Sequence, residues 1–329
     1  MKKIIYLLLT IVLISVFMSG CSSNDKLTEY SANSNSLNIV TTIFPEYDWV
    51  KNVVGSNTNN DNITMLLGNG VDLHSYQPTA EDMMKISNCD LFIYVGGESD
   101  SWVDDALKNA VNKNMKVINL MDILGETVKE EKIVEGMEDD HSDEDEEHSE
   151  VEYDEHIWLS LKNAQACTIE IANTLAEIDP ANGDNYIANA KDYNEKLANL
   201  DNEYRNIVNN SSVKTLVFGD RFPFRYLADD YGLTYFAAFP GCSAETEASF
   251  ETITFLASKI DELNLNYVMT LEKSDKKIAQ TIINNTKSKN QKILQLNSMQ
   301  SITSDDVLGG TDYISVMENN LSVLKIALY

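Results

Sequence analysis

His74, His141, His148 and His156 are the only histidines in the chain, and their placement is uneven. Imidazole is the commonest side-chain ligand for transition metals, with carboxylates supplying the balancing charge. Three of the four fall in or beside the run Glu135 to Glu155, where thirteen of twenty-one residues are Asp or Glu. No core can form from that composition, so the run is expected to be a long solvated loop. His141 and His148 inside it then read either as a weak, multi-site cation trap or as members of an ordinary solvated acidic face. His156 ends the loop in Asp154-Glu155-His156-Ile157-Trp158, at the foot of an apolar helical pattern. His74 stands in Gly70-Val71-Asp72-Leu73-His74, after a predicted strand and before the polar helix start Gln77-Pro78-Thr79. Parallel α/β sheets bind ligands in the crevice beyond the carboxyl ends of their strands, and His74 is placed for that crevice. His74 and His156 are therefore read as metal ligands, against the alternative of two hydrogen-bonded structural histidines.

The elements that must position them follow one grammar twice. Apolar, β-branched runs near 37–43, 63–67, 91–95 and 116–119 alternate with helical patterns near 46–54, 80–88 and 102–112. The second half has strands near 214–218, 234–237, 267–270 and 292–296, and helices near 222–231, 247–264, 275–285 and 312–327. Such alternation implies parallel sheets covered by helices on both faces. Between the halves, Tyr186, Ala190, Tyr193, Leu197, Leu200, Tyr204 and Ile207 form one apolar stripe at spacings of four and three. That helix, roughly 40 Å long at 1.5 Å per residue, reads as a strut packed along both halves rather than as a coiled-coil partner. The expected fold is α/β: two similar lobes, each a four-stranded parallel sheet with flanking helices, bridged by one long rigid helix. The boundaries fall at 37–180 for the first lobe (with the acidic loop 135–155), 181–209 for the linking helix and 210–329 for the second lobe.

Residues 1–20 look like a secretory signal. Lys2 and Lys3 precede an apolar run from Ile4 to Met18, with Ser19 and Gly20 before Cys21. The run is short for a membrane span. Met18-Ser19-Gly20-Cys21 reads as a lipobox in which Cys21 carries lipid, and the polar stretch 21–36 as a flexible tether. With Cys21 so used, Cys89, Cys167 and Cys242 are odd in number and widely scattered, so no disulfide framework is expected. Cys89 and Cys167 read as small buried hydrophobes; Cys242, after Pro240-Gly241, is the exception. A formal net charge of -27 disfavours nucleic acid and favours small cations. The chain lacks His-Glu-x-x-His, Gly-x-Ser-x-Gly and any acid–base pair at a recognisable spacing, so no enzyme is expected. An exported zinc metalloenzyme and a surface adhesin are the weaker alternatives.

Several segments resemble the ZnuA-like substrate-binding lipoproteins of zinc and manganese ABC transporters. They are Leu73-His74-Ser75-Tyr76-Gln77-Pro78-Thr79, the acidic loop, Glu155-His156-Ile157-Trp158-Leu159-Ser160, and Tyr226-Leu227-Ala228-Asp229-Asp230-Tyr231-Gly232-Leu233. Ala244-Glu245-Thr246-Glu247-Ala248-Ser249 and Tyr313-Ile314-Ser315-Val316-Met317-Glu318-Asn319-Asn320-Leu321 complete the match, in order, from about residue 37 onward. The resemblance implies a lipid-anchored monomer at the outer face of a bacterial membrane. It would capture Zn2+ between its lobes, with Mn2+ as the nearest variant, and deliver it to an ABC transporter permease. It also implies a ligand set of three histidines and one carboxylate, from which this chain departs. Arg221 aligns with the third histidine, no histidine follows His156, and Leu296-Asn297-Ser298-Met299-Gln300 carries amides where the last carboxylate is usual. Arginine has no lone pair to offer a metal. Second-lobe replacements are sought at strand ends: Asp220 and Cys242 first, then Glu245, Glu272 and Asn297. A pair of histidines completed by Asp220 or Cys242 suits zinc, and a thiolate favours it over manganese. Asp220 could instead pair with Arg221 or Arg225 or cap a helix, and Cys242 could be inert.

Overall fold

The computed structural model describes residues 36–55, 62–137, 152–243 and 247–329. The expected signal and tether, Cys21, His141, His148 and Glu245 lie outside the described residues. Ser36–Tyr329 form one compact unit.

The first sheet comprises β1 (Asn38–Thr41), β2 (Asn62–Met65), β3 (Leu91–Tyr94) and β4 (Lys116–Asn119), all parallel, in the order β2-β1-β3-β4. The second repeats it with β5 (Thr215–Phe222), β6 (Thr234–Pro240), β7 (Tyr267–Leu271) and β8 (Lys292–Leu296), in the order β6-β5-β7-β8. Ile39, Val40, Leu91, Phe92 and Ile93 are all buried, as central strands covered on both faces must be. In each sheet the chain steps from its first strand to one side and then crosses to the other. This leaves a switch point between β1 and β3, and another between β5 and β7, where the carboxyl ends open a crevice.

Helix α1 (Phe44–Val54) follows β1, α2 (Ala80–Asn88) and α3 (Val103–Lys108) flank β3, and α4 (Leu120–Leu124) follows β4. The buried Glu46 carboxylate accepts from Thr42 N at 2.7 Å and Ile43 N at 3.2 Å, so α1 carries its own anionic cap. Thr79 and Asp82 cap α2 reciprocally. Helix α5 (Leu161–Ile178) leads into α6 (Gly183–Asn210), the long helix. The α6 stripe is buried from Tyr186 to Tyr204 and closes on Val208 rather than Ile207, continuing the spacing of four. Helix α6 packs on α5 and α1 in the first half, and on α7 (Arg225–Tyr231) and α11 (Tyr313–Leu328) in the second. Tyr193 Oη donates to Asp48 Oδ2 at 3.1 Å and Tyr204 Oη to the Met317 carbonyl at 2.6 Å, so the strut is tied at both ends. One continuous apolar cluster runs from Ile39 through α6 to Met269. Smaller clusters lie around Val40 and Phe92 against α2 and α3, and around Val217 and Val268 against α8 (Phe250–Leu263) and α9 (Lys277–Asn285). Cys89 and Cys167 are buried and free.

One boundary differs from expectation in a way that matters. The sequence pattern places a helix at 222–231, yet β5 continues to Phe222. A register shift between Phe218 and Arg221 lets Arg221 and Phe222 pair with Phe239 and Pro240. Arg221 therefore sits on a strand end facing the crevice, and α7 begins three residues later than expected, at Arg225.

Candidate metal centre

His74 is set by a single turn of 3-10 helix, Leu73–Ser75, between β2 and α2. Asp72 starts that turn, its Oδ1 accepting from His74 N at 3.1 Å. The imidazole Nδ1 lies 2.8 Å from Ser99 Oγ and 3.6 Å from Glu155 Oε2. Ser99 is held in turn, its N donating to Glu155 Oε1 at 2.8 Å. His156 is fully buried just before the 3-10 turn Ile157–Leu159. Asp154 Oδ1 accepts from His156 N at 2.9 Å and faces its Nδ1 at 3.1 Å. A carboxylate only accepts, so it fixes a proton on Nδ1 and turns Nε2 inward. Both rings are thus anchored through Nδ1, and their Nε2 atoms stand 3.3 Å apart. Two nitrogens on one tetrahedral zinc, each at about 2.0–2.1 Å, would be separated by about 3.3–3.4 Å.

Cys242 comes from the second half, in the turn that follows β6. A Cβ on Gly241 would lie 3.1 Å from His156 Cε1 and 3.0 Å from the Phe222 carbonyl, so the turn is seated directly against the imidazole. Cys242 N donates to Glu131 Oε1 at 3.0 Å, which fixes the turn from the opposite side. The result is a group in which one ligand atom each from His74, His156 and Cys242 lies within 4.8 Å of the others.

The electrostatics suit a site that receives a cation. Burial, then the neighbouring His156, lower the His74 pKa to about 3, with Arg221 adding to the effect and Asp72 opposing it, so the ring is neutral and its lone pair free. Burial raises the Cys242 thiol well above its usual range, and the carboxylates of Glu131, Asp154 and Glu155 push the same way. A metal that binds there must displace a thiol proton.

The acidic loop is fastened beside this group. Residues 129–131 and 152–154 form a short antiparallel ladder, with Glu131 N to the Glu152 carbonyl and Asp154 N to the Lys129 carbonyl both at 2.8 Å. Tyr226 Oη, from α7, accepts from Lys129 N at 3.0 Å and donates to the Asp154 carbonyl at 2.9 Å. Both ends of the acidic run therefore emerge next to the carboxylate that orients His156.

The other candidates are placed differently. Asp220 does not join the group. Its Oδ1 accepts from Arg221 N at 2.9 Å and its Oδ2 from Leu271 N at 3.2 Å, so it braces β5 against β7. Glu272 accepts from Ser298 N at 2.8 Å and Ser298 Oγ at 2.9 Å, and shapes the loop after β8. Asn297 is bound to Asn320 in both directions at 2.8 Å. Arg221 Nη2 donates to Asp72 Oδ2 at 2.6 Å, and its Nη1 to the Ser243 carbonyl at 3.3 Å. Gln300 was not among the candidates read from the sequence. With its amide nitrogen toward Asp72, at 2.7 and 3.1 Å, its oxygen lies 2.6 Å from His156 Nε2. Its place beyond the last strand of the second sheet, at the crevice end, is the one signal that could have found it.

Residues 39–327 match the family described as ZnuA, zinc-uptake complex component A, periplasmic. The zinc-binding lipoprotein AdcA of Streptococcus pneumoniae (strain ATCC BAA-255 / R6) is 33% identical over 328 residues, covering 99% of this chain and 61% of that protein. This chain thus spans about three-fifths of that relative's length. The high-affinity zinc uptake system protein ZnuA of Bacillus subtilis is 27% identical over 315 residues, covering 95% of this chain and 94% of that one. Among solved structures, the Zn(II)-bound ZnuA-like domain of Streptococcus pneumoniae AdcA superposes with a TM-score of 0.70 at 30% identity, covering 89% of this chain and 99% of that domain. With the match running from the first strand into the last helix, and the paired parallel sheets shared with that domain, this chain belongs to the ZnuA family.

Proposed function

We propose that this chain is the extracytoplasmic substrate-binding component of a zinc ABC transporter, holding Zn2+ as cargo with His74, His156 and Cys242. The observation that carries the reading is the convergence of two inward-facing imidazole nitrogens from the first half and one thiol from the turn after β6, within 4.8 Å of one another. Family membership supports the transport role, and the names of AdcA and ZnuA support the metal. Two imidazoles with a thiolate suit zinc and rank it above manganese, which favours oxygen donors. The acidic run draws cations toward the cleft, and its base ends on the residue that orients His156. Release to the permease requires the second half, which carries Cys242, to move relative to the two histidines of the first. Cys21 anchors the protein by lipid to the outer face of the bacterial membrane, as a monomer. The reading assigns the site no catalytic step, since every group around the histidines acts as a ligand or an orienting partner.

Calorimetric titration of the metal-free protein tests this. One zinc binds per chain. His74→Ala, His156→Ala and Cys242→Ser each weaken it by about a hundredfold or more, and Asp220→Ala leaves it within about threefold, the residue being outside the group. Zinc binding that is unchanged in both histidine variants and in Cys242→Ser would remove the reading.

A further inference from the structure

His74 and Cys242 come from opposite halves, and one side chain touches the turns that carry both. We propose that Arg221, paired with Asp72, is a positioning residue that couples the His74 turn to the Cys242 turn, so that the donors converge before the metal arrives. This rests on the reading that His74, His156 and Cys242 hold the ion.

Arg221 Nη2 donates to Asp72 Oδ2 at 2.6 Å, and its Nη1 to the Ser243 carbonyl at 3.3 Å. The other Asp72 oxygen, Oδ1, accepts from His74 N at 3.1 Å, so one carboxylate holds both the guanidinium and the backbone of the ligand itself. Across the site, Cys242 N donates to Glu131 Oε1 at 3.0 Å. The Cys242 turn is thus held from two directions, by Glu131 at one residue and by Arg221 at the next. The ion pair is partly shielded, with 21% of the Arg221 side chain and 27% of the Asp72 side chain exposed, so salt weakens it less than a surface pair. A guanidinium suits this task because its nitrogens are fixed in one plane and reach two acceptors at once, whereas an ammonium is a single point.

Both mounts are rigid. Arg221 lies at the end of β5, past the register shift, and pairs there with Phe239 of β6. Asp220 beside it accepts from Arg221 N at 2.9 Å and from Leu271 N at 3.2 Å, which ties that strand end to β7. The chain leading to Asp72 is sewn to the second half as well. Ser304 N donates to the Gly68 carbonyl at 2.7 Å, and Asn69 forms an antiparallel bridge with Thr303. Gly70 has a φ of 74°, and a Cβ there would lie 2.9 Å from Lys273 Nζ and 3.1 Å from the Ser301 carbonyl. Arg221 extends this seam from Asp72 to the Cys242 turn. Every contact in it joins one protein group to another, so none requires a cation to form. Such preassembly tightens binding, because the observed Kd is the intrinsic one divided by the fraction of molecules whose donors already converge.

Amide hydrogen exchange of the metal-free protein, read by mass spectrometry, tests this, because His74 N and Cys242 N are both hydrogen-bonded and report the two turns directly. In the wild type, peptides covering 72–76 and 241–243 are protected without metal. Arg221→Met speeds exchange of both by about tenfold or more, while peptides of α6 stay as protected as before and show the fold intact. Its zinc Kd rises about tenfold, and saturating zinc restores the protection. Asp72→Asn keeps an acceptor for the His74 amide and gives up the ion pair, so it has the same effect. The double variant loses no more than either single one, as two residues acting as one unit must. Arg221→Lys keeps the charge opposite Asp72 but cannot fork to the Ser243 carbonyl, so it protects 72–76 and not 241–243. Unchanged exchange at both turns in metal-free Arg221→Met, or losses that add in the double variant, would overturn the coupling. Zinc binding that Cys242→Ser leaves unchanged, with exchange responding as above, would instead overturn the ligand reading beneath it.

Discussion

Asp100 shows how strongly the cleft biases its titratable groups. It is buried, with Oδ2 accepting from Gly96 N at 3.0 Å and Oδ1 without a hydrogen-bond partner among the described residues. Burial, reinforced by the Glu155 charge, raises its pKa to about 7. The folded state therefore holds a proton that the unfolded chain releases near 3.8, and the associated stability is complete below about pH 4 and is lost as pH rises through about 7. Asp100→Asn removes that dependence. Chemical unfolding at pH 8 should show the variant more stable than wild type by on the order of 2–3 kcal/mol, with the gap narrowing by about pH 5 and closing only near pH 4; equal stability at about pH 8 and pH 5 would contradict it. At this scale the sequence shows residue types and little of their pairing. His74 and His156 are legible because imidazoles are few and stand at a strand end and a loop foot. Cys242 is legible because it follows a strand after Pro-Gly. Arg221 and Gln300 appear only as departures from a family pattern, because their meaning lies in Asp72, 149 residues from Arg221 in sequence.

Elements with a strong local signal are the ones the sequence locates well. Helix α2 spans Ala80–Asn88 as its Thr79 cap predicts, and β8 spans Lys292–Leu296. Helix α3 stops at Lys108, short of the expected Asn112, where Asn112 is instead turned to the end of α2, its N donating to the Ser87 carbonyl at 3.0 Å and its Nδ2 to the Cys89 carbonyl at 2.7 Å. The extension of β5 to Phe222 depends on pairing with β6, which no local pattern encodes. The ladder at 129–131 and 152–154 and the Tyr226 hydroxyl fasten the described residues on either side of the acidic run. Deleting residues 139–150, with the ladder joined by a short linker, should lower the zinc association rate about three- to tenfold at low ionic strength and leave the final Kd unchanged. Stopped-flow competition with a fluorescent chelator measures this, and an unaltered association rate would show that the run does not steer cations.

At the scale of the molecule, two sheets of identical strand order face one cleft, tied by a helix whose buried stripe belongs to the same core as both. Direct bonds cross between the halves at the cleft. Arg221 reaches Asp72, Trp158 Nε1 donates to the Ser298 carbonyl at 2.8 Å, and Tyr313 Oη donates to the Trp158 carbonyl at 2.6 Å. These bonds hold the turns that carry His74, His156 and Cys242 beside one another, so the candidate site is a property of the assembly of both halves. A crystal structure of the zinc-loaded protein, with anomalous differences recorded on either side of the zinc edge, tests this account most directly. The account predicts one strong peak per chain, about 2.0–2.1 Å from Nε2 of His74 and of His156 and about 2.3 Å from Sγ of Cys242. A peak that lies elsewhere, or one that the Cys242 sulfur does not approach, would contradict it.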